Sequence, residues 1–320
     1  MRGIETRIQD IRHMVFTEVA RMAYQDEVPV EKQIEKIPYE IIPGDVANFR
    51  NDVFLERAIV GERVRLAMGL PCRDAGNQAP ISEDVEAADR PETYYTPPLI
   101  NIIKFACNAC PEKRLMVTEG CMGCLAHPCM EVCPKDAVHL DRTIGRASID
   151  QDKCIKCGRC ATACSYNAII TQERPCAAAC GMDAIHSDSQ GKAEIDYDKC
   201  VSCGMCLVNC PFGAISDKSQ IFQVIRGIQA GEHIYAAIAP AFVGQFGPKV
   251  TSGKLRAAIK QLGFTDVFEV AIGADLCAVQ EADDFMENVP ERLPFMATSC
   301  CPAWSAMAKK EFPDYADCVS

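Results

Sequence analysis

The sequence predicts a multidomain α+β and α/β protein in three parts: a helical amino-terminal region and linker over 1–96, a cysteine-rich repeat domain over 97–216, and an α/β segment over 217–320. Three observations predict it. Sixteen of the twenty-one cysteines lie between Cys107 and Cys210. Before them runs a stripe of helical apolar periodicity, and after them apolar strands alternate with helices.

In the amino-terminal part, Ile4, Ile8, Ile11, Val15, Val19 and Met22 recur at helical spacing and mark an amphipathic first helix. Pro29, Pro38 and Pro43 punctuate the next segment. Asp45 is placed to cap a second long helix running to about Met68. From Leu70 to Pro98 the composition turns to Pro, Asp, Glu and Gly, which reads as a linker. Cys72, alone in this region, reads as an ordinary thiol.

The middle part repeats. Cys154, Cys157, Cys160 and Cys164 form one C-x2-C-x2-C-x3-C run, and Cys200, Cys203, Cys206 and Cys210 form a second. Cys121, Cys124, Cys129 and Cys133 form a third, two residues longer. A fourth is in two pieces: Cys107 and Cys110, then Cys176 and Cys180. After the last cysteine of each set comes the same tail: CPKDAV, CSYNAI, CGMDAI and CPFGAI. Strands in ASIDQDKC and AEIDYDKC lead into two of the runs. This spacing is that of bacterial ferredoxins, in which the fourth cysteine of a run ligates the partner cluster.

Four half-modules make two ferredoxin-like units, one inserted within the other, and four [4Fe–4S] clusters. Exchange of the last cysteines gives four ligand sets. The inner pair is Cys121, Cys124, Cys129 with Cys164, and Cys154, Cys157, Cys160 with Cys133. The outer pair is Cys200, Cys203, Cys206 with Cys180, and Cys107, Cys110, Cys176 with Cys210. Structural zinc prefers two separated ligand pairs, and disulfide scaffolds belong to small secreted domains; neither suits these runs. His127 reads as packed beside a cluster, because its run already supplies enough thiolates.

Composition narrows the partners. A formal charge of −11 argues against nucleic acid. No apolar run reaches membrane-spanning length. The first residues, MRGIETRIQDIRH, are charged and periodic, unlike a secretory signal. With so many thiolate ligands, the expected location is the reducing cytoplasm.

After Cys210 the sequence predicts a helix over 218–230, a strand in IYAAIAPAF, a helix over 253–262, a strand in DVFEVAIG, a helix in CAVQEADDFMEN and a third strand in LPFMATS. GPKVTSGKL imitates a phosphate loop. Five residues separate its glycines where four are needed, however, and Leu255 stands at the metal-binding hydroxyl position. At the end of the third strand stands Thr298-Ser299-Cys300-Cys301-Pro302-Ala303-Trp304. Pro302 suits the first turn of a helix, which puts Cys301 at the helix amino end, where negative charge is favoured.

TSCCPAW resembles the first active-site motif of the [FeFe] hydrogenases, TSCCP-x-W. The resemblance extends upstream through IAPAF, FEVAIGADL and the ferredoxin modules, covering about residues 97–320, and looks closer to the group B branch. It implies that the last part is the start of an α/β hydrogenase catalytic domain, and that the reaction is reversible reduction of protons to dihydrogen. It also implies an H-cluster, a further [4Fe–4S] cubane joined to a two-iron unit, if the chain is complete. Cys301 would be a cubane ligand and Cys300 the proton-relaying thiol. Electrons would come from an external carrier such as ferredoxin. The family's two further motifs, PC-x-x-K and E-x-x-x-C-x-x-G-C, do not occur in these 320 residues. The expectation is therefore an amino-terminal portion, inactive alone. The alternative is a stand-alone polyferredoxin-like electron carrier with a vestigial α/β tail.

Overall fold

The computed structural model describes residues 5–25, 27–74, 76, 78–89 and 96–320; Ile4 of the predicted stripe and 75, 77 and 90–95 of the predicted linker lie outside them. The chain forms two compact units. One comprises Lys104–Asp198 with Met205–Ile215. The other comprises the described residues up to Ile103, then Lys199–Gly204 and Ser216–Ser320.

The second unit begins with four helices: α1 (Arg7–Ala23), α2 (Val30–Ile34), α3 (Ile37–Ile41) and α4 (Val53–Ala67). The apolar stripe of α1 buries Val15, Val19 and Met22 against Val60 and Val64 of α4 and Ile34, Ile37 and Ile42. Each fully buried aliphatic side chain contributes about 1.5–3 kcal/mol. Asp52, not Asp45, caps α4, its carboxylate accepting from the Leu55 N–H at 2.9 Å. The reason lies one turn on. The Glu56 carboxylate is buried and accepts the backbone N–H groups of Asn48, Phe49 and Arg50, so the chain before Asp52 wraps around it as a loop.

The stretch after Leu70, expected to be a linker, is strapped to α4 as far as Ala88. Arg65 is 1 % exposed and donates to the carbonyls of Pro71, Ile81 and Glu83. Glu62 pairs with Arg73 at 2.7 Å. Buried charges must be satisfied, and this polar segment supplies the partners. Val85 and Ala88 join the helical core. Burial, reinforced by Glu62, pushes the Cys72 thiol up to about 12.

After β1 (Ile100–Ile102), the cysteine-rich unit runs β2 (Arg114–Val117), α5 (Pro128–Glu131), β3 (Val138–Asp141), β4 (Arg146–Ile149), α6 (Arg159–Ala163), β5 (Ile169–Gln172), α7 (Pro175–Ala178), β6 (Ile185–Ser187), β7 (Ala193–Ile195) and α8 (Met205–Asn209). The repeat tails become strands. Those at β3 and β6 pair antiparallel with the predicted leading strands β4 and β7. The tail at β5 pairs with β2, from Leu115↔Thr171 to Val117↔Ile169.

The chain then passes through β8 (Ile215–Asp217) to α9 (Ile221–Gln229), β9 (Tyr235–Ile238), α10 (Ser252–Gln261), β10 (Asp266–Glu269), α11 (Val270–Asn288) and α12 (Pro302–Glu311). Phe222 and Ile225 of α9 join the amino-terminal helical core. β9 and β10 are parallel, with Asp266 opposite Tyr235, and α10 crosses between them, capped by Thr251. Two expectations fail. DVFEVAIG is strand only to Glu269, because Ile272, Leu276 and Val279 continue a helical period into α11. LPFMATS forms no strand. Pro294 lacks an N–H, and only Ala297 makes a bridge, to Val319.

Candidate metal centres

All four repeats build their cysteine loops alike. A left-handed residue stands between the first two cysteines: Ala109, Gly123, Lys156 and Ser202, at φ 46°, 55°, 59° and 55°. That turn directs the N–H groups of Lys156 and Ser202 to Cys154 Sγ and Cys200 Sγ, both at 3.4 Å. The third cysteines, Cys129, Cys160, Cys176 and Cys206, are buried on the short helices α5 to α8. A second left-handed residue comes three places after the fourth cysteine: Asp136, Asn167, Asp183 and Gly213. Asp, Asn and Gly tolerate that conformation best, which is why the tails share it. The next N–H returns to sulfur: Ala137 to Cys133 at 3.2 Å, Ala168 to Cys164 and Ala184 to Cys180 at 3.4 Å.

The split run obeys the same plan. From β7, the Ala193 N–H donates to Cys107 Sγ at 3.3 Å; from β4, the Ala147 N–H donates to Cys121 Sγ at 3.4 Å. Cys107 and Cys110 thus take the positions of Cys121 and Cys124, and Cys176 and Cys180 those of Cys129 and Cys133.

Sulfurs from different runs meet. Cys121, Cys124, Cys129 and Cys164 line one cavity of about 230 Å³. Burial raises the Cys129 thiol, and the neighbouring Cys124, Cys164 and Cys121 raise it further. Burial likewise raises Cys160, beside Cys154 and Cys133. Against its burial, the N–H groups of Lys135, Ala137 and Val138 draw Cys133 below the ordinary thiol value. Burial pushes Cys176 up to about 11, with Cys210 and Cys107 as neighbours. Cys110 is raised by burial and by the same two. Among the described residues no three such side chains close on a single ion. Four thiols around a shared cavity, with N–H groups on the sulfurs, fit an iron–sulfur cluster. Cys200 and Cys203 precede α8 on a loop that falls in the second unit, while Cys180 and Cys206 fall in the first.

Gly123 differs from its three counterparts in its surroundings. A Cβ there would drive into the Gly145 carbonyl oxygen. Gly123→Ala should therefore add overpacking, about 1–3 kcal/mol, to a left-handed cost of about 1–2 kcal/mol. Thermal unfolding of the cluster-loaded protein will show that loss, and Lys156→Ala, at a φ only a few degrees different, will show almost none.

In the second unit, Cys301 is the N-cap of α12, Pro302 is its first residue, and the Ser305 N–H donates to the Cys301 carbonyl at 2.9 Å. Cys300 and Cys301 are exposed, as is Cys277 on α11. Cys318 is buried, its carbonyl accepting from the Ala297 N–H. These residues do not by themselves form the donor set of an H-cluster.

Among the described residues no helix is long and apolar enough to cross a membrane. Residues 232–320 match the family model of the iron-only hydrogenase large subunit, C-terminal domain. Residues 146–169 and 192–215 each match the 4Fe-4S binding domain. Iron hydrogenase 1 of Clostridium pasteurianum is 34% identical over 233 residues, covering 68% of this chain and 39% of that protein. The NADP-reducing hydrogenase subunit HndD of Solidesulfovibrio fructosivorans is 33% identical over 112 residues, covering 32% and 18%. A ferredoxin of Alicyclobacillus acidocaldarius is 40% identical over 58 residues, covering 18% and 72%. The chain thus spans less than two thirds of the hydrogenases it matches. With [4Fe–4S]-binding domains followed by the iron-only hydrogenase domain, the chain is related to the [FeFe] hydrogenase family.

Proposed function

We propose that the chain is an iron–sulfur oxidoreductase that carries electrons through four [4Fe–4S] clusters to a hydrogenase-type reaction, the reversible reduction of protons to dihydrogen. The observation that carries this reading is the cavity ringed by Cys121, Cys124, Cys129 and Cys164, in which two runs contribute to one donor set. The other sets are Cys154, Cys157, Cys160 with Cys133; Cys107, Cys110, Cys176 with Cys210; and Cys200, Cys203, Cys206 with Cys180.

When bound, such clusters supply one-electron transfer. The residues of this chain hold them and set their charge balance. Each left-handed turn wraps a run of thiols, and the N–H groups on Cys107, Cys121, Cys133, Cys154, Cys164, Cys180 and Cys200 stabilise negative charge at sulfur. The proposed partner is an external one-electron carrier such as ferredoxin, in a reducing cytoplasm. In the hydrogenase domain Cys301 is the proposed cubane ligand and Cys300 the proposed proton relay. Both assignments rest on the TSCCPAW resemblance.

Anaerobic reconstitution with iron and sulfide, followed by metal analysis and EPR of the reduced protein, tests the cluster count. Four clusters of four irons are expected, and two or fewer would refute the reading. Hydrogen evolution from reduced viologen, measured on protein that also carries the PC-x-x-K and E-x-x-x-C-x-x-G-C motifs absent from these 320 residues, tests the second half. Clusters that exchange electrons without hydrogen turnover would leave only the electron-transfer function.

A further inference from the structure

Residue by residue, HPC at 127–129 and RPC at 174–176 are the same place in two repeats. His127 and Arg174 are the N-caps of α5 and α7, His127 left-handed at φ 42° and Arg174 extended at φ −69°, each followed by proline at the first helical position. The sulfur-directed N–H groups around them are matched, Ala147 to Cys121 against Ala193 to Cys107. Charge is not matched. Arg174 is 3 % exposed and permanently cationic. It donates to the Cys110 carbonyl at 2.7 Å, the Gly191 carbonyl at 2.8 Å, Ser187 Oγ at 2.9 Å and the His186 carbonyl at 3.0 Å. Its guanidinium is thus bonded to the backbone of Cys110, and Arg174 stands two residues before Cys176. Its buried Nε has no acceptor among the described residues. No carboxylate is bonded to it in these contacts, although Glu112, Glu173 and Asp183 line a cavity with it. Asp188, on the same hairpin, is instead held down to about 2 by the Lys104 ammonium that bonds it at 2.8 Å.

We infer that Arg174 sets the potential of the split cluster, its buried positive charge making the cluster held by Cys107, Cys110, Cys176 and Cys210 easier to reduce than its counterpart beside His127. The inference rests on the four-cluster reading. In the step concerned, one electron leaves the reduced carrier and enters the cluster, with no bond made or broken. The four thiolates already give the site negative charge, so the added electron is stabilised by a buried cation, which solvent screens less than an exposed one. Of these two equivalent clusters, the split one is then the one that an entering electron favours.

EPR-monitored redox titration of the reconstituted full chain tests this, with the signal lost in Cys210→Ala identifying the split cluster. Arg174→Gln should lower its reduced-to-oxidised ratio at fixed potential about tenfold, which is about 59 mV for a one-electron couple. Arg174→Lys, which keeps the charge, should stay within about threefold. His127→Arg should raise the ratio for the cluster of Cys121, Cys124, Cys129 and Cys164. Equal shifts in the glutamine and lysine variants would overturn the inference. If Arg174→Gln loses its cluster altogether, His127→Arg decides, and no shift there overturns it. Wild-type protein holding no split cluster would instead remove the four-cluster reading itself.

Discussion

Cys164→Ala will strip iron from the cluster of the preceding run and spare that of its own. Cys164 lines the cavity with Cys121, Cys124 and Cys129, while Cys133 is the neighbour of Cys154 and Cys160. Iron content separates exchange from ligation within runs, because mutations acting on one unit do not add. Under exchange, Cys164→Ala should lose one cluster, and adding Cys121→Ala should lose no more. Combining Cys164→Ala with Cys154→Ala should lose two. Ligation within runs predicts the reverse for both double variants. A cube left with three protein thiolates lacks a ligand at one iron corner, so each affected cube should lose at least that iron, and the number of depleted cubes separates the two patterns. The same logic applies to Cys133→Ala, which should pair with Cys154→Ala and add to Cys121→Ala. Iron and sulfide analysis of the six proteins is sufficient.

The cysteine loops were legible because their conformation is written in residue type. Left-handed turns select Asp136, Asn167, Asp183 and Gly213, so the tail repeat located the fourth cysteines independently of their spacing. Local rules reached no further. Nothing in LPCRDAG says that Arg65 and Glu62, buried on α4, will hold that segment down. Charged residues on a helix read as a solvated face until their tertiary partners are known. β2, over Arg114–Val117, is not legible in the sequence because a four-residue strand carries too little alternation, and its partner β5 lies more than fifty residues away. At Glu269 the sequence is ambiguous in kind: an apolar strand and the first turns of an apolar helix look alike over eight residues. The equivalence of His127 and Arg174 was present in HPC and RPC. Only the burial of Arg174, and the carbonyls gathered around it, gave the difference physical meaning.

Stripping iron and sulfide with chelator and oxidant should unfold the cysteine-rich unit while leaving the amino-terminal helices folded. The asymmetry comes from what each has to bury. α1 and α4, of 17 and 15 residues, share a core of large aliphatic side chains. In the cysteine-rich unit the helices have four or five residues, below the length at which a helix persists alone. Its sheets are two-stranded, which are marginal in water. The core of its inner pair is Leu115, Val138, Ala147 and Ile169, completed by Cys129 and Cys160. Without metal, those cysteines are crowded thiols whose neighbours oppose ionisation; with metal, their binding free energy is folding free energy, on the order of 10 kcal/mol for a structural metal site. Hydrogen exchange measured by peptide should therefore show Lys104–Asp198 losing protection as iron leaves, while peptides from α1 and α4 keep theirs. Protection retained throughout Lys104–Asp198 after complete iron loss would show that these repeats fold on their apolar contacts. The cysteine cavity would then be a preformed receptacle for the clusters, and their removal would be reversible without refolding.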